Sequence, residues 1–408
     1  GADGAVSEDR RRRTVNGSEF FQSDLVVFHF PAVVLPAVSA RIRRREIEGM
    51  TKKQLFQAVL FIAGFFVILI HLSYCLRTNG SVKDRFVGFY AEPENTIDVL
   101  MIGSSPVYPY YAAPKPWGDY GITAYPLSTN LQRPKAAMHL IREAEKPQDP
   151  QLYIFEMRMY LAADKDLTQN MAYTRGVTDN MKYSLNRIRT INDLVDEDGP
   201  EARYTFYFDI FKYHSNWKTL VLPSQLATFR YEKKDPLKGH VINDEVGPSE
   251  ITDYSHVTRR QAIPEDEEEV LLELLEWLQD NGKEALFIVS PYTMTEERQA
   301  QYNYIADLIE PYGYTFLNLN DYYEEIGIDF ETDFYDYGGH ANAFGAEKTT
   351  EFLGKYLNEH YTLPDKRGQE GYEDWDKAYE RWCAQTEEAQ ATILERIENK
   401  DFKILEEE

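Results

Sequence analysis

The chain has 408 residues, 43% of them hydrophobic, and a formal net charge of −24 at pH 7. This length and apolar content are sufficient for one large domain with appendages. The acidic balance argues against a nucleic-acid-binding protein, because phosphates are neutralised by Lys and Arg. The two cysteines, Cys75 and Cys383, are too few for a disulfide framework.

The first 49 residues show no steady hydrophobic periodicity. They contain the basic run Arg10-Arg-Arg-Arg13 and an apolar run that Pro31 and Pro36 interrupt. We expect either an unstructured cytoplasmic extension or a segment added by an over-extended gene prediction. The second interpretation is suggested by Met50-Thr-Lys-Lys53, which has the form of a natural start of a bacterial signal anchor.

An apolar segment follows at residues 55–76, which contain no Asp, Glu, Lys or Arg. At about 1.5 Å per residue it is long enough to cross a hydrocarbon core of about 30 Å. Lys52, Lys53 and the basic run at 43–45 precede it, which predicts a cytoplasmic N-terminal side and an extracytoplasmic remainder. No small-x-small cleavage motif follows, so we predict an uncleaved single-pass membrane anchor at 54–77. A buried core helix is disfavoured because the segment has no polar face.

Residues 90–362 alternate between short apolar runs and amphipathic patterns, which is typical of a parallel α/β sheet. We therefore predict a flavodoxin-like three-layer α/β/α domain with a five-stranded parallel sheet. The predicted strands are 97–102, 122–127, 152–157, 285–290 and 315–319. The predicted helices are 133–144, 265–280, 296–309 and 346–356.

An insertion at about 160–262 separates the third and fourth predicted strands. It is rich in Tyr and Phe, as in the segments 204–211 and 213–217. Long insertions in compact domains tend to be caps or binding loops. Two interpretations are open: aromatic planes that stack on sugar rings, or a small aromatic core of the insertion itself.

The tail at 363–408 is acidic and has apolar residues spaced for an amphipathic helix, among them Trp375, Trp382 and Ile393. We expect this helix to pack on its own domain, with a partner interface as the alternative.

The first chemical motif is Asp98-Val-Leu-Met-Ile-Gly-Ser-Ser105, an apolar strand that runs into a Gly-Ser-Ser turn. Ligands of parallel α/β sheets bind at the carboxyl ends of the strands, and Ser105 lies at such an end. Gly103 permits a tight turn that exposes the following serine. Ser105 is therefore a candidate nucleophile.

The second motif is Asp333-Phe-Tyr-Asp336-Tyr-Gly-Gly-His340-Ala-Asn342, which precedes the last helix of the domain. A serine hydroxyl becomes a strong nucleophile when an imidazole takes its proton and a carboxylate orients that imidazole. We assign His340 as the base and Asp336 as the orienting carboxylate. Asp333 is the alternative carboxylate.

These two motifs resemble, in type and order, the first and last motif blocks of the SGNH/GDSL hydrolase superfamily. Ile102-Gly-Ser-Ser105 stands where the family has Gly-Asp-Ser, and Asp336 and His340 are one residue farther apart than in its Asp-x-x-His pattern. The resemblance implies that Ser105 is the nucleophile and that its own amide is an oxyanion donor. The family's oxyanion Gly and Asn blocks have no match here. The candidates for oxyanion or substrate contacts are Ser104, Ser128, Asn130, Arg158 and Asn342.

The chain is similar to the membrane-anchored branch of that superfamily, which includes the D-alanyl-lipoteichoic acid biosynthesis and alginate O-acetylation proteins. This similarity implies an extracytoplasmic serine esterase or O-acyltransferase whose substrate is an acylated polysaccharide or cell-wall polymer. It also implies a membrane-bound O-acyltransferase as partner. We expect no cofactor and no metal, because the eight histidines form no ligand pair at helical spacing.

The alternative function is that of a non-catalytic, membrane-anchored glycan-binding or scaffold protein with the same fold. The two hypotheses differ in the geometry they require. A hydrogen bond between Ser105 and His340 favours the enzyme, whereas a Ser105 side chain that is buried or turned away favours the scaffold.

Overall fold

The computed structural model describes residues 51–403 except 222, 224, 226, 227, 229 and 251. The interpretations of residues 1–49 therefore lie outside the described residues. Residues from Phe65 onward form one compact unit, which holds the sheet and the candidate site.

Helix α1, Lys52–Leu76, is long and apolar enough to cross a membrane, and it is the one such helix among the described residues. Its side chains are mostly exposed until the last turn, where Ser73, Tyr74 and Leu76 become buried. The Tyr74 hydroxyl donates a hydrogen bond to the Thr228 carbonyl at 2.6 Å. The C-terminal turn of α1 therefore packs against the rest of the compact unit.

The sheet has five parallel strands in the order β2-β1-β3-β4-β5. The predicted α/β class with a five-stranded parallel sheet is thus confirmed, and each strand lies within two residues of its predicted bounds. The strands are β1 Val99–Ile102, β2 Ala124–Pro126, β3 Leu152–Glu156, β4 Glu284–Val289 and β5 Thr315–Asn318.

The first two α-helices of the described residues precede β1, and the other helices connect the strands or follow the last one. After α1, the α-helices are α2 Ser81–Ala91, α3 Val107–Tyr110, α4 Pro114–Tyr120, α5 Ala137–Ala144, α6 Asp164–Leu167, α7 Met171–Thr178, α8 Leu185–Leu194, α9 Tyr204–Tyr207, α10 Ile210–Tyr213, α11 Glu265–Asp280, α12 Glu296–Ile309, α13 Tyr323–Ile326, α14 Ala343–His360 and α15 Glu373–Asn399. The short 3-10 helices are Pro134–Ala136, Arg158–Leu161, His214–Lys218, Glu310–Tyr312 and Leu319–Tyr322.

Local signals explain why α11 and α12 have the bounds that we predicted. Pro264 precedes α11, whose first turn carries four acidic residues, and these complement the positive end of the helix dipole. After its last turn Gly282 adopts a positive φ of 58°. The Thr295 hydroxyl accepts a hydrogen bond from the Arg298 amide and caps α12.

Successive side chains of the central strands enter two separate apolar clusters, as expected of strands that are buried on both faces. Leu100 and Ile102 of β1 pack in one cluster with α5, α11 and α12 side chains. Val99 and Met101 pack in the other with side chains of α3 and α14. The sheet therefore forms the centre of the core.

The insertion at 160–262 contributes helices α6 to α10 and a small apolar cluster of its own, made by Met171, Ile191, Val195 and Phe206. Several other aromatic side chains of the insertion remain outside this cluster and are exposed, including Tyr204, Phe211 and Trp217. The insertion thus has a small apolar core of its own, to which Phe206 and the partly buried Tyr207 contribute the aromatic rings.

Helix α15 packs on its own compact unit. The ring of its Trp375 lies 5.8 Å from the ring of Trp117 in α4, and the Trp117 indole donates a hydrogen bond to Asp376 at 3.0 Å. Trp382 and Ile393 of the same helix are also buried. The apolar stripe seen in the sequence is thus covered by intramolecular contacts.

Gly103 ends β1 where the backbones of β1 and β3 and the start of α3 come close. A Cβ atom at Gly103 would lie 2.7 Å from the Glu156 Cβ and 2.8 Å from the Val107 Cγ2. The glycine is therefore required by this close approach, since its φ is not in the left-handed region.

We predict that Gly103→Ala lowers the free energy of unfolding by about 1–3 kcal/mol, because the added methyl group overpacks the junction. The measurement is thermal unfolding of the detergent-solubilised chain. Gly176→Ala is the matched control: a Cβ there makes ordinary contacts with Thr129, at 3.4 Å or more, within a helix that favours alanine. Equal effects of the two substitutions would contradict this account of Gly103.

Candidate active site

Ser105 lies in the turn between the end of β1 and helix α3. The Val107 amide donates to the Ser104 carbonyl at 3.1 Å and closes this turn. Ser104 is buried, and its hydroxyl accepts a hydrogen bond from the Gln132 amide at 3.2 Å. Ser105 is half-buried and lines an open cleft at the carboxyl edge of the sheet. Of the two adjacent serines, only Ser105 presents its hydroxyl to the cleft.

His340 is held by a short hairpin-like loop that precedes α14. Phe334 and Ala341 form an isolated antiparallel bridge, and the Tyr335 amide donates to the His340 carbonyl at 3.0 Å. The chain reverses through Tyr337 and Gly338, whose φ values are 61° and 91°. The additional residue between Asp336 and His340 is accommodated in this reversal, so that both side chains lie on the same side of the loop.

Ser105, His340 and Asp336 form a continuous hydrogen-bonded chain. The Ser105 Oγ lies 2.8 Å from His340 Nε2, and His340 Nδ1 lies 2.6 Å from Asp336 Oδ2. A carboxylate only accepts hydrogen bonds, so Nδ1 carries the proton and Nε2 is left to accept the Ser105 hydroxyl proton. The distance between Ser105 and His340 lies within the range that general-base catalysis requires.

Asp336 is fixed by two bonds from a single residue, since its Oδ1 also accepts the His340 amide at 2.5 Å. Burial by itself would raise the pKa of Asp336. The hydrogen bonds from His340 and the electrostatic interactions with His340 and Arg158 outweigh burial and hold the pKa of Asp336 below its ordinary value. Asp336 therefore stays ionised next to the imidazole.

Asp333, the alternative carboxylate, does not contact His340. It is buried, forms an ion pair with Lys348 at 2.7 Å and accepts the Asp329 amide at 2.9 Å. Burial raises its pKa despite these partners. Asp333 thus fastens the loop to α14, and the structure brings Asp336 rather than Asp333 to the histidine.

Arg158 follows β3 and connects several segments around the site. Its Nη1 donates to the Gly339 carbonyl at 2.6 Å, and its Nη2 donates to the Pro291 carbonyl at 2.9 Å and the Ser290 carbonyl at 3.2 Å. Its guanidinium also lies 4.0 Å from the centre of the Tyr292 ring. Arg158 therefore holds the residue next to His340 against the end of β4.

The cleft beside Ser105 has a volume of about 780 Å³. Its lining comes from the segments after four strands, namely Ser105, Leu131, Arg158 and Tyr292, and from the histidine loop. This is the carboxyl edge of the sheet, where parallel α/β folds bind ligands. The cleft is wide enough for a ligand of the size of one or a few sugar rings.

The other sequence-predicted candidates divide into two groups. Arg158 lines the cleft and Asn130 is exposed next to Leu131, where its Oδ1 accepts the Tyr108 hydroxyl at 2.7 Å. Ser104, Ser128 and Asn342 are buried and do not line the cleft. Asn342 caps α14, because its Oδ1 accepts the amides of Phe344 and Gly345.

Sequence reasoning missed two aromatic residues of the site. The Tyr335 ring stacks on the His340 ring, with centroids 5.6 Å apart and planes 19° apart. The Tyr110 hydroxyl donates to the Pro291 carbonyl and accepts from Arg158 Nη2. Tyr335 lies inside the second motif and was a detectable signal, whereas Tyr110 reaches the site only through tertiary packing.

Among the residues that the structure describes, no group of three or more His, Cys, Asp or Glu side chains is placed to hold a metal ion. No protein-family model, curated protein or solved structure matches this chain. The chemistry of the site is therefore inferred from its own side chains and their distances.

Replacement of each aspartate by asparagine should distinguish their roles. We predict that Asp336→Asn lowers the rate of acyl transfer from a small ester by three to four orders of magnitude, because an amide no longer selects the histidine tautomer. Asp333→Asn should keep the rate per folded molecule and lower the melting temperature, because it weakens the ion pair of a buried carboxylate with Lys348. The measurements are ester turnover and thermal unfolding of both variants. A larger rate loss in Asp333→Asn would reverse the assignment.

Proposed function

We propose that the chain is a membrane-anchored serine esterase or O-acyltransferase that acts on acyl esters of cell-envelope glycans. The observation that carries this proposal is the continuous hydrogen-bonded set of Ser105, His340 and Asp336 in an open cleft. This is the arrangement that converts a serine hydroxyl into a nucleophile.

In the first half of the reaction, the Ser105 Oγ bonds to the ester carbonyl carbon while its proton passes to His340 Nε2. The tetrahedral intermediate then collapses, the bond to the leaving alkoxide breaks, and His340 returns the proton to that alkoxide. The product is an acyl ester of Ser105. In the second half, water or a sugar hydroxyl attacks this ester with His340 again as base. Hydrolysis and transfer differ only in the acceptor.

Negative charge develops on the carbonyl oxygen in each half-reaction. We propose that the Ser105 amide is one oxyanion donor and that the charge of Arg158 steadies the oxyanion at longer range. The guanidinium is already bonded to backbone carbonyls, so its main role is to position Gly339 and His340. Asn130 is the remaining candidate for a substrate contact, because it is exposed beside the cleft.

The proposal extends to the fold family. The strand order β2-β1-β3-β4-β5 and the apolar clusters on the two faces of the sheet support a flavodoxin-like three-layer α/β/α domain over about 90–362. The serine after β1 and the Asp–His loop before α14 support membership of the SGNH/GDSL superfamily, in its membrane-anchored branch. A membrane-bound O-acyltransferase is the partner that this membership implies.

The hydrogen bond between Ser105 and His340 favours the enzyme over the glycan-binding scaffold. A scaffold that had lost catalysis would have no requirement for an imidazole that is oriented between a serine hydroxyl and a carboxylate. The open cleft is compatible with both functions, so covalent chemistry at Ser105 distinguishes them.

We predict that a fluorophosphonate probe labels the full chain in detergent and that Ser105→Ala abolishes the labelling. The substitution removes the attacking atom and leaves no core cavity, so the melting temperature should be nearly unchanged. Ser104→Ala is the matched control, since its buried hydroxyl bonds to the Gln132 amide and should be dispensable for labelling. Labelling that persists in Ser105→Ala would show that Ser105 is not the nucleophile. Absence of labelling and ester turnover in the wild type would favour the scaffold.

We also propose that Lys52 lies on the cytoplasmic side of the membrane and that residues from about 80 onward lie outside. The basic residues before the apolar segment 55–76 support this orientation. A reporter enzyme that is active only outside the cytoplasm should be active when it is fused after residue 85. A fusion that is expressed but inactive would contradict this topology.

A further inference from the structure

Part of the insertion lies against helix α1 and carries large apolar side chains that are exposed. We call Tyr204, Phe208, Phe211 and Trp217 the aromatic face. Tyr204, Phe211 and Trp217 expose 56%, 56% and 67% of their surface. Monomeric soluble proteins rarely expose a contiguous apolar patch of this kind without a binding role.

The aromatic face is continuous with the apolar surface of α1. The Phe208 ring stacks on the Phe66 ring of α1, with centroids 6.4 Å apart and planes 28° apart. Phe211 packs edge-on against both Phe208 and Tyr204, at 6.4 Å and 5.4 Å. Beside these rings, Phe65 and Ile68 of α1 are exposed as well. One apolar surface therefore runs from the helix onto the insertion.

A buried ion-pair network fixes the aromatic face to the end of α1. Arg77, the first residue after the helix, donates from Nε to Asp209 Oδ2 at 2.6 Å. Arg187 and Tyr183 donate to the same carboxylate at 2.8 Å and 2.6 Å. Asp209 directly follows Phe208 in the chain, and the Asn216 amide group donates to the Leu76 carbonyl at 3.0 Å. The aromatic face is therefore held rigidly beside the helix.

The contacts place this face along the segment of α1 between Phe66 and Leu76. Ten residues of α-helix rise about 15 Å, which is about half of a hydrocarbon core of about 30 Å. If α1 crosses a bilayer, Phe208 lies deeper in the hydrocarbon core than the point at which the helix leaves the bilayer. Trp217 lies nearer the interface, because its neighbour Asn216 bonds to the last residue of the helix, and Trp rings are favoured at that level. Lys218 of the same segment is exposed and suits the phosphate level, whereas Lys212 is paired with Glu201 at 2.6 Å.

We propose that the aromatic face is a second membrane contact, inserted into the leaflet on the side of the α/β domain. The occupant is the bilayer itself, because the face continues a helix that has the length and composition of a membrane span. The Phe211 ring packs edge-on against the rings of Tyr204 and Phe208, so these three rings form no flat platform for stacking on a sugar. Insertion holds the domain in one orientation on the membrane, independently of the chemistry at Ser105.

The test uses the full chain in nanodiscs of phospholipid brominated in the middle of the acyl chains. Of the five tryptophans, Trp117, Trp375 and Trp382 are buried and Trp277 is half-buried, so Trp217 is the one most open to a quencher in the bilayer. We expect quenching of the wild-type emission, loss of the quenched component in Trp217→Phe, and its retention in the matched control Trp277→Phe. Both substitutions are conservative, so folding is preserved.

Two results would overturn the proposal. One is equal quenching of the wild type and Trp217→Phe by brominated lipid. The other is quenching of Trp217 by aqueous iodide in the nanodisc. If a soluble polysaccharide then relieves the iodide quenching, the aromatic face binds glycan instead of the bilayer. A chain that fails to enter nanodiscs would refute both the membrane span of α1 and the membrane contact of the aromatic face. Fluorophosphonate labelling of Ser105 would be unaffected by any of these outcomes.

Discussion

The geometry of the candidate site depends on the hydrogen bonds of the Arg158 guanidinium. It follows the central strand β3 and donates to backbone carbonyls at the end of β4 and in the histidine loop. A planar group with five donors can join several acceptors at fixed angles, which an ammonium group cannot do. Because Gly339 is bonded in this way, the next residue, His340, reaches Ser105, which lies at the end of the neighbouring strand β1.

A second hydrogen-bond network, around Asp209, fixes the insertion at 160–262 to the end of α1. Asp209 accepts hydrogen bonds from Arg77, Arg187 and Tyr183 within the protein, and a buried carboxylate is stable only with such partners. This network ties the insertion to the residue at which α1 ends. The candidate catalytic cleft and the proposed membrane contact thus belong to one compact unit, in which each is positioned by an Arg that bonds to oxygen atoms of distant segments.

Much of the fold follows from local sequence signals. Short apolar runs and amphipathic periods predicted all five strands, and the predicted bounds of α11 and α12 match the structure to the residue. The candidate site was less accessible to such reasoning. Ser104 and Ser105 are chemically identical, and the turn geometry alone decides that Ser104 bonds to the Gln132 amide. Likewise, the choice between Asp333 and Asp336 depends on the reversal at Tyr337 and Gly338.

The sequence by itself determined the elements and the chemistry available: a parallel α/β sheet, an apolar helix, a serine after the first strand and an Asp–His pair before the last helix of the domain. These are local properties, because hydrophobic period, capping residues and residue type act over a few positions. Only the tertiary structure decided which side chains meet. Ser105 and His340 are 235 residues apart and Phe66 and Phe208 are 142 apart, so their contacts depend on strand order and packing, which no local pattern encodes.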